Sequence, residues 1–331
     1  MMLDAFTAAQ PSRAALARPV FSVVVPVFEE AECIERFHAR LAGVMHAMAE
    51  SWEAVYVNDG SRDGSLGILE GLRRADRRIA LVNLSRNFGK EIATTAGLDH
   101  ARGDAVIVMD VDLQDPPEVI PGLVAAWRAG SDIVYAQRRV RQGESWMKKR
   151  SAELFYRLME SLGEVRMPRN AGDFRLMSRR AVDALLQLRE HHRFMKGLFA
   201  WIGLPSAAVL YDRAPRAAGR SKWSYWRLWN LALEGITSYT IMPLKVATYL
   251  GLIVALLAAL YGGFIILDTL LFGNPVPGYP SLMAVMLFMG GAQLVTLGVI
   301  GEYLGRVFNE TKNRPLYLVE RYTPSEPVGG E

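Results

Sequence analysis

The sequence predicts an α/β protein built on a parallel-rich central sheet and followed by a C-terminal pair of long apolar helices. Three observations carry that expectation. Short β-rich apolar runs alternate with segments of helical length. Each run ends in polar or charged residues. Two long stretches near the C-terminus contain no charge at all. The chain has 331 residues, which at about 150 residues per domain corresponds to two domains. Hydrophobic residues make up 51% and charged residues 22%, which excludes a disordered or collagen-like chain. The formal charge of +4 is a mild surplus that permits contact with anionic lipid or phosphate without pointing to nucleic acid. Cys33 is the sole cysteine, so an intramolecular disulfide, a CxxC pair and a cysteine zinc site are all excluded.

The elements follow in order. Met1 to Arg18 mixes Asp4, Arg13 and Arg18 with alanines and does not read as a signal peptide. The strands are expected at Phe21–Val27, Val55–Val57, Ala80–Leu84, Ala105–Met109 and Ile133–Ala136. Helical segments lie between them at Glu30–Glu50, Ser65–Arg74 and Phe88–Ala101. Continuous apolar strands separated by helices are the mark of a parallel sheet covered on both faces. Ligands of such sheets bind beyond the carboxyl ends of the strands. There the sequence places Pro26-Val27-Phe28-Glu29-Glu30, Asn58-Asp59-Gly60-Ser61-Arg62-Asp63, Ser85-Arg86-Asn87-Phe88-Gly89-Lys90 and Asp110-Val111-Asp112-Leu113-Gln114-Asp115. No GxGxxG and no GxxxxGK[ST] is present, so dinucleotide and P-loop readings lack their phosphate cradles. Asp110 and Asp112 alternate, and a bend would let both reach one cation. Two hard carboxylates with Gln114 suit Mg²⁺ or Mn²⁺ rather than zinc. A DxD alone is more often solvated surface. Its place after a buried strand, beside three other polar strand ends, makes it a site candidate.

The C-terminal third differs. Val246–Leu267 and Ser281–Gly301 run 22 and 21 residues without a charge, each above the roughly 20 needed to cross a bilayer core. The segment between them lacks Lys and Arg, whereas Arg220, Lys222, Arg227 and Lys245 precede the pair and Arg306, Lys312, Arg314 and Arg321 follow it. The positive-inside rule then puts both termini in the cytoplasm of a bacterial inner-membrane protein. Trp226, Trp229, Leu233 and Ile236 recur at helical spacing just before the first stretch, which suits an amphipathic helix lying in the interface. The expected organisation is an arm at 1–19, a cytoplasmic domain at 20–218, and a juxtamembrane region at 219–245. Spans at 246–267 and 281–301 enclose a periplasmic loop at 268–280, and 302–331 forms a cytoplasmic tail.

The motifs VVPVFEE, NDGSRDGS, LSRNFGKE, DVDLQDPPE, GDFRLMSRR and GRSKWSYWRLWN, in that order, resemble those of the inverting family 2 glycosyltransferases of the polyisoprenyl-phosphate type. Dolichol-phosphate mannose synthases belong to this group. The resemblance runs from about Phe21 to about Gly305. LSRNFGKE, DVDLQDPPE, RFMKGLFAWIG and SKWSYW resemble most closely the bactoprenol glucosyltransferases, which load glucose from UDP-glucose onto undecaprenyl phosphate. The resemblance implies a GT-A type nucleotide-sugar domain, a UDP-sugar donor, an undecaprenyl phosphate acceptor, a lipid bilayer as partner and, often, a homo-oligomer. Mannose, galactose or aminoarabinose transfer would share the chemistry.

By the same resemblance, Pro26 and Glu30 hold the ribose, Asp59 pairs with uracil, and Arg86 and Lys90 lie at the nucleotide edge. Asp110, Asp112 and Gln114 bind the metal on the diphosphate. Asp173 occupies the position of the family's proposed catalytic carboxylate, with Asp112 beside it in the catalytic set. Many members read PxYNEE where this chain has Phe28 and Glu29, so Glu30 carries more weight than its neighbours. Arg138, Arg139, Arg141, Lys148, Lys149 and Arg150 cluster after the fifth strand. Arg138 best matches the family's phosphate-binding arginines, with Lys149, Ser221 and Lys222 as further contacts for the acceptor phosphate. A solvated basic patch is the ordinary explanation of such a run. His191 and His192 are adjacent and would face different directions on a helix, which disfavours a metal site.

Two rival functions are disfavoured. A processive polymer synthase would carry more spans and a QxxRW motif, absent here. A flippase-type or scaffold subunit would not need Asp59, Asp110, Asp112 and Asp173 together, and an ion-coupled path would need ionisable residues in the apolar stretches.

Overall fold

The structure is a computed structural model that describes residues 18–139, 171–191, 193, 195–211, 242–272 and 278–326. The chain divides into two compact units, one holding the sheet and the other the two long C-terminal helices.

Eight strands form one mixed sheet in the order β7-β5-β6-β4-β1-β2-β3-β8. They are β1 Phe21–Val27, β2 Trp52–Asn58, β3 Ile79–Leu84, β4 Ala105–Val108, β5 Ile133–Arg138, β6 Ala171–Ser178, β7 Ser206–Tyr211 and β8 Val319–Thr323. Helices α1 Ala31–Ala47, α2 Ser65–Ala75, α3 Lys90–His100 and α4 Ile120–Arg128 fall between the first strands, and α5 Arg179–Leu186 and α6 Met195–Trp201 precede β7. The pairs β1–β2, β1–β4 and β2–β3 are parallel. Every residue of β1, β2, β3 and β4 is buried, as strands covered on both faces must be. Helix α1 turns Ile34, Phe37, Leu41 and Met45 into the core, at helical spacing. The five expected strands and three expected helices all lie within or overlap observed elements.

Chain order reverses at β1, which has β2 on one side and β4 on the other. That switch point opens a crevice at the strands' carboxyl ends. Strand β6 enters antiparallel between β4 and β5, with Arg175 opposite Val108. Continuing the same register two residues outward sets Asp173 opposite Asp110.

Residues 319–323, read from the sequence as part of a tail, form β8 on the outer edge of β3. Behind it Ser325 is buried, and its hydroxyl donates to Glu53 at 2.5 Å. Glu53 also accepts from Arg102 at 2.8 Å and from Ser22 at 2.6 Å. The pairing covers an edge that would otherwise be open to another chain.

The second unit contains α7 Met242–Phe272 and α8 Tyr279–Thr311, which pack against each other. They leave large apolar side chains exposed, among them Leu256, Phe264 and Leu294. The expectation of transmembrane helices at 246–267 and 281–301 is corrected here. Among the described residues, no helix is long and apolar enough to cross a membrane. Each helix contains its uncharged run and extends past it: α7 takes in Lys245 and Asp268, and α8 takes in Glu302, Arg306 and Glu310. The two-span topology, the periplasmic loop and the inner-membrane placement with cytoplasmic termini fall with it. The expected interfacial helix over Trp223–Ile241 lies outside the described residues.

Candidate active site

The crevice is assembled from four strand ends and β6. Pro26 lies beyond the last β1–β4 pair, Val24 with Val108, where no ladder on that side calls for its missing N–H. The turn after β1 is caught by the loop after β2. The Glu29 N–H donates to Ser61 Oγ at 3.1 Å, the Glu30 N–H to Ser65 Oγ at 3.1 Å and the Ala31 N–H to Asp63 Oδ2 at 3.3 Å. Glu29 adopts φ 54, an unusual backbone for a residue with a side chain.

Asp59 is buried, 2% exposed. Its two carboxylate oxygens accept the N–H groups of Phe88 at 2.7 Å and Gly89 at 2.9 Å. Burial nonetheless raises its pKa against those donors and Arg86. Asp59 therefore fixes the loop that leads into α3. Gly60 has φ 67, and a Cβ there would sit 2.4 Å from the Arg86 carbonyl carbon. Only glycine lets these loops touch. Arg86 stacks on the Phe88 ring at 4.2 Å.

Lys90, the first residue of α3, reaches across the crevice. Its ammonium donates to Asp110 at 2.7 Å and to Asp173 at 2.7 Å. Lys196 on α6 lies 4.0 Å from the other Asp173 oxygen. Burial alone would raise the pKa of Asp173, but the two ammonium groups overcome it and hold the carboxyl well below the usual range. Arg175, buried beneath, donates to the carbonyls of Gly172 at 2.8 Å and Asp173 at 3.3 Å and lies 3.5 Å over the Phe199 ring. Burial pushes the pKa of Arg175 down to about 10. Burial, and then the charge of Asp173, pushes Glu91 up to about 7.

Asp112 engages its own turn. It accepts the backbone N–H of Gln114 at 3.0 Å and that residue's side-chain amide, with Leu113 at φ 58 between them. The structure thus joins Asp110 to Asp173 through Lys90, and Asp112 to Gln114. Among the described residues, no group of three or more His, Cys, Asp or Glu is placed to hold a metal. Hard oxygen donors nevertheless fit Mg²⁺ or Mn²⁺, which are ordinarily held by one or two carboxylates with substrate phosphates completing the shell. Asp110, already facing a cation, and Asp112 are the donors of that kind.

Arg138, at the end of β5, donates to the Tyr211 hydroxyl at 3.2 Å and lies 3.8 Å from Asp115. Tyr211 donates to Asp115. A Cβ on Gly172 would be 3.9 Å from the Arg138 guanidinium, so this arginine borders the Asp173 strand. Lys149, Ser221 and Lys222 lie outside the described residues. Arg175, Glu91, Asp115 and Tyr211 escaped sequence reasoning as site residues. The available signal was Glu91, Asp115 and Arg175 falling inside LSRNFGKE, DVDLQDPPE and GDFRLMSRR.

Carboxylates and ammonium groups thus gather in a crevice at the switch point of a mixed sheet, where open α/β sheets bind their ligands. The glycosyl transferase family 2 model matches residues 22–186, and the GtrB C-terminal hairpin model matches residues 242–307. An uncharacterized glycosyltransferase of Synechocystis sp. is 55% identical over 93% of this chain and 98% of its own. The SfII prophage-derived bactoprenol glucosyl transferase of Shigella flexneri is 49% identical over 92% of this chain and 99% of its own. Among solved structures, a glucosyl-3-phosphoglycerate synthase from Mycobacterium tuberculosis in complex with Mn²⁺, UDP and phosphoglyceric acid aligns at a TM-score of 0.48 and 21% identity, covering 66% of this chain and 76% of that one. The chain belongs to glycosyltransferase family 2 and is a glycosyltransferase.

Proposed function

We propose that this enzyme transfers a hexose, glucose, from a UDP-sugar to the phosphate of undecaprenyl phosphate, with inversion at the anomeric carbon. The observation that carries the reading is the Asp110–Lys90–Asp173 group at the strand ends, in a chain nearly half identical over its length to a bactoprenol glucosyl transferase. Pro26, Glu30, Asp59, Arg86 and Lys90 form the donor side. Asp59 acts there chiefly by holding the 86–89 loop. Arg138 meets the acceptor phosphate, and Lys149, Ser221 and Lys222 are assigned to the same task. Asp110 and Asp112, with Gln114, would hold Mg²⁺ or Mn²⁺. Such an ion, when bound, offsets the charge that develops on the departing diphosphate.

The nucleophile is a phosphate oxygen, and a phosphomonoester with its second pKa near 6 is roughly nine-tenths dianionic at pH 7. Little proton removal is left to do. Asp173, engaged by two ammonium groups, therefore positions reactants rather than abstracting a proton, and orientation is itself a large part of catalysis.

The test presents UDP-glucose, UDP-galactose, GDP-mannose and UDP-aminoarabinose to the enzyme with undecaprenyl phosphate dispersed in detergent, reading out the glycolipid. Turnover with UDP-glucose, lost in EDTA and restored by Mg²⁺ or Mn²⁺, is expected. Preference for another donor would reassign the sugar, and full activity in EDTA would remove the metal from the reading.

A further inference from the structure

Asp110 and Asp173 come from neighbouring antiparallel strands whose register sets them face to face. Two carboxylates so placed repel. One side chain relieves this, since Lys90 donates to both at 2.7 Å. The other nearby cations are not equivalent. Arg175 is tied to the carbonyls of Gly172 and Asp173, and Lys196 reaches only Asp173, at 4.0 Å.

We propose that Lys90 is a built-in monovalent cation of the site, which holds Asp110 and Asp173 together in the empty enzyme and competes with the incoming divalent ion for Asp110. The inference rests on the metal-dependent reading above. Three features support it. The base of Lys90 is fixed, because Asp59 grips the Phe88 and Gly89 N–H groups immediately before it. Its side chain is not enclosed by the core, since 43% of it is exposed, and lysine carries a point charge on a four-carbon stem with several rotatable bonds. Asp173 also keeps a second ammonium, Lys196, within reach when Lys90 withdraws from Asp110. Lys90 is thus a positioning residue. It keeps the empty crevice from springing open and prevents tight metal binding before the diphosphate supplies its own oxygens.

Mn²⁺ binding to the full-length protein in detergent, without nucleotide, provides the test, followed by electron paramagnetic resonance of the free ion. The expected result is a Kd lowered about 5-fold in Lys90→Met, the fold-change that corresponds to one partly exposed charge pair of about 1 kcal/mol. Lys90→Arg, which keeps the charge, should stay within about two-fold of the parent. Lys90→Gln gives the same comparison if the methionine variant does not fold. A Kd unchanged in both neutral variants overturns the proposal. Weaker UDP binding with unchanged Mn²⁺ affinity also overturns it, and assigns the lysine to the donor phosphates. Absence of Mn²⁺ binding in parent and variants alike overturns it through the metal reading. Loss of UDP-sugar binding in the parent would mark failure of the glycosyltransfer reading instead.

Discussion

Asp173 and Glu91 occupy the same small volume yet face opposite electrostatic fates. Lys90 and Lys196 keep Asp173 ionised, whereas burial and the charge of Asp173 keep Glu91 protonated up to about 7. If Asp173 positions rather than abstracts, Asp173→Asn should cut turnover by at least 10²-fold, by a similar factor at every pH from 6 to 9. A loss that shrinks as the acceptor becomes fully dianionic would restore the general-base role. Glu91 predicts a stability effect. Its native pKa lies above the ordinary value of 4.5, so between those limits the folded state retains a proton that the unfolded chain releases. Stability therefore falls as pH rises from about 4.5 to about 7 and levels off above. Glu91→Gln should flatten that slope, removing on the order of 1–3 kcal/mol of difference between pH 5 and pH 8 in denaturant titrations. An identical slope in the variant would show that Glu91 titrates normally.

The loops after β2 and β3 work as one unit, and Gly60 is where they meet. Its φ of 67 and the 2.4 Å approach to the Arg86 backbone leave no room for a methyl group. Gly60→Ala should destabilise the protein by about 1–3 kcal/mol and weaken UDP binding, because the loop that carries Arg86 and Lys90 must shift. Wild-type UDP affinity in this variant would separate the loop from the donor site. The strands themselves were readable from residue order. FSVVVPV and its counterparts are predominantly apolar short runs bounded by polar ends, so composition and length sufficed. The strand ends were readable too, since ligand chemistry collects there. Pairing across the crevice was not. Asp110 to Asp112 is two residues in sequence, and alternation suggested a shared cation. The structure adds contacts that alternation does not reveal: Asp112 accepts from Gln114, and Asp110 shares Lys90 with a residue 63 positions later.

The C-terminal strand closes the sheet of the molecule as a whole. Arg73 and Arg77 both donate to Glu326, and Arg102 and Ser325 meet on Glu53. Ser325→Ala should leave part of that buried charge pair unsatisfied and cost about 1–3 kcal/mol, read as a lower unfolding midpoint. An unchanged midpoint would mean that water replaces the hydroxyl. Residues 319–323 read as tail because VERYT is short, charged and surrounded by loop residues. An edge strand borrows its stability from the strand it joins, so its own composition need not announce it. The uncharged runs near residues 250 and 290 likewise announced helices, which are present. Their charge-free composition could not report where each helix would end, and among the described residues no helix is long and apolar enough to cross a membrane. Local composition and alternation established the α/β architecture and the chemistry-bearing strand ends, and the ordered motifs carried the resemblance to the family. Contacts between distant segments established the Lys90 bridge, the buried Arg175 and the eighth strand, because those depend on register and burial, which no single stretch of chain encodes.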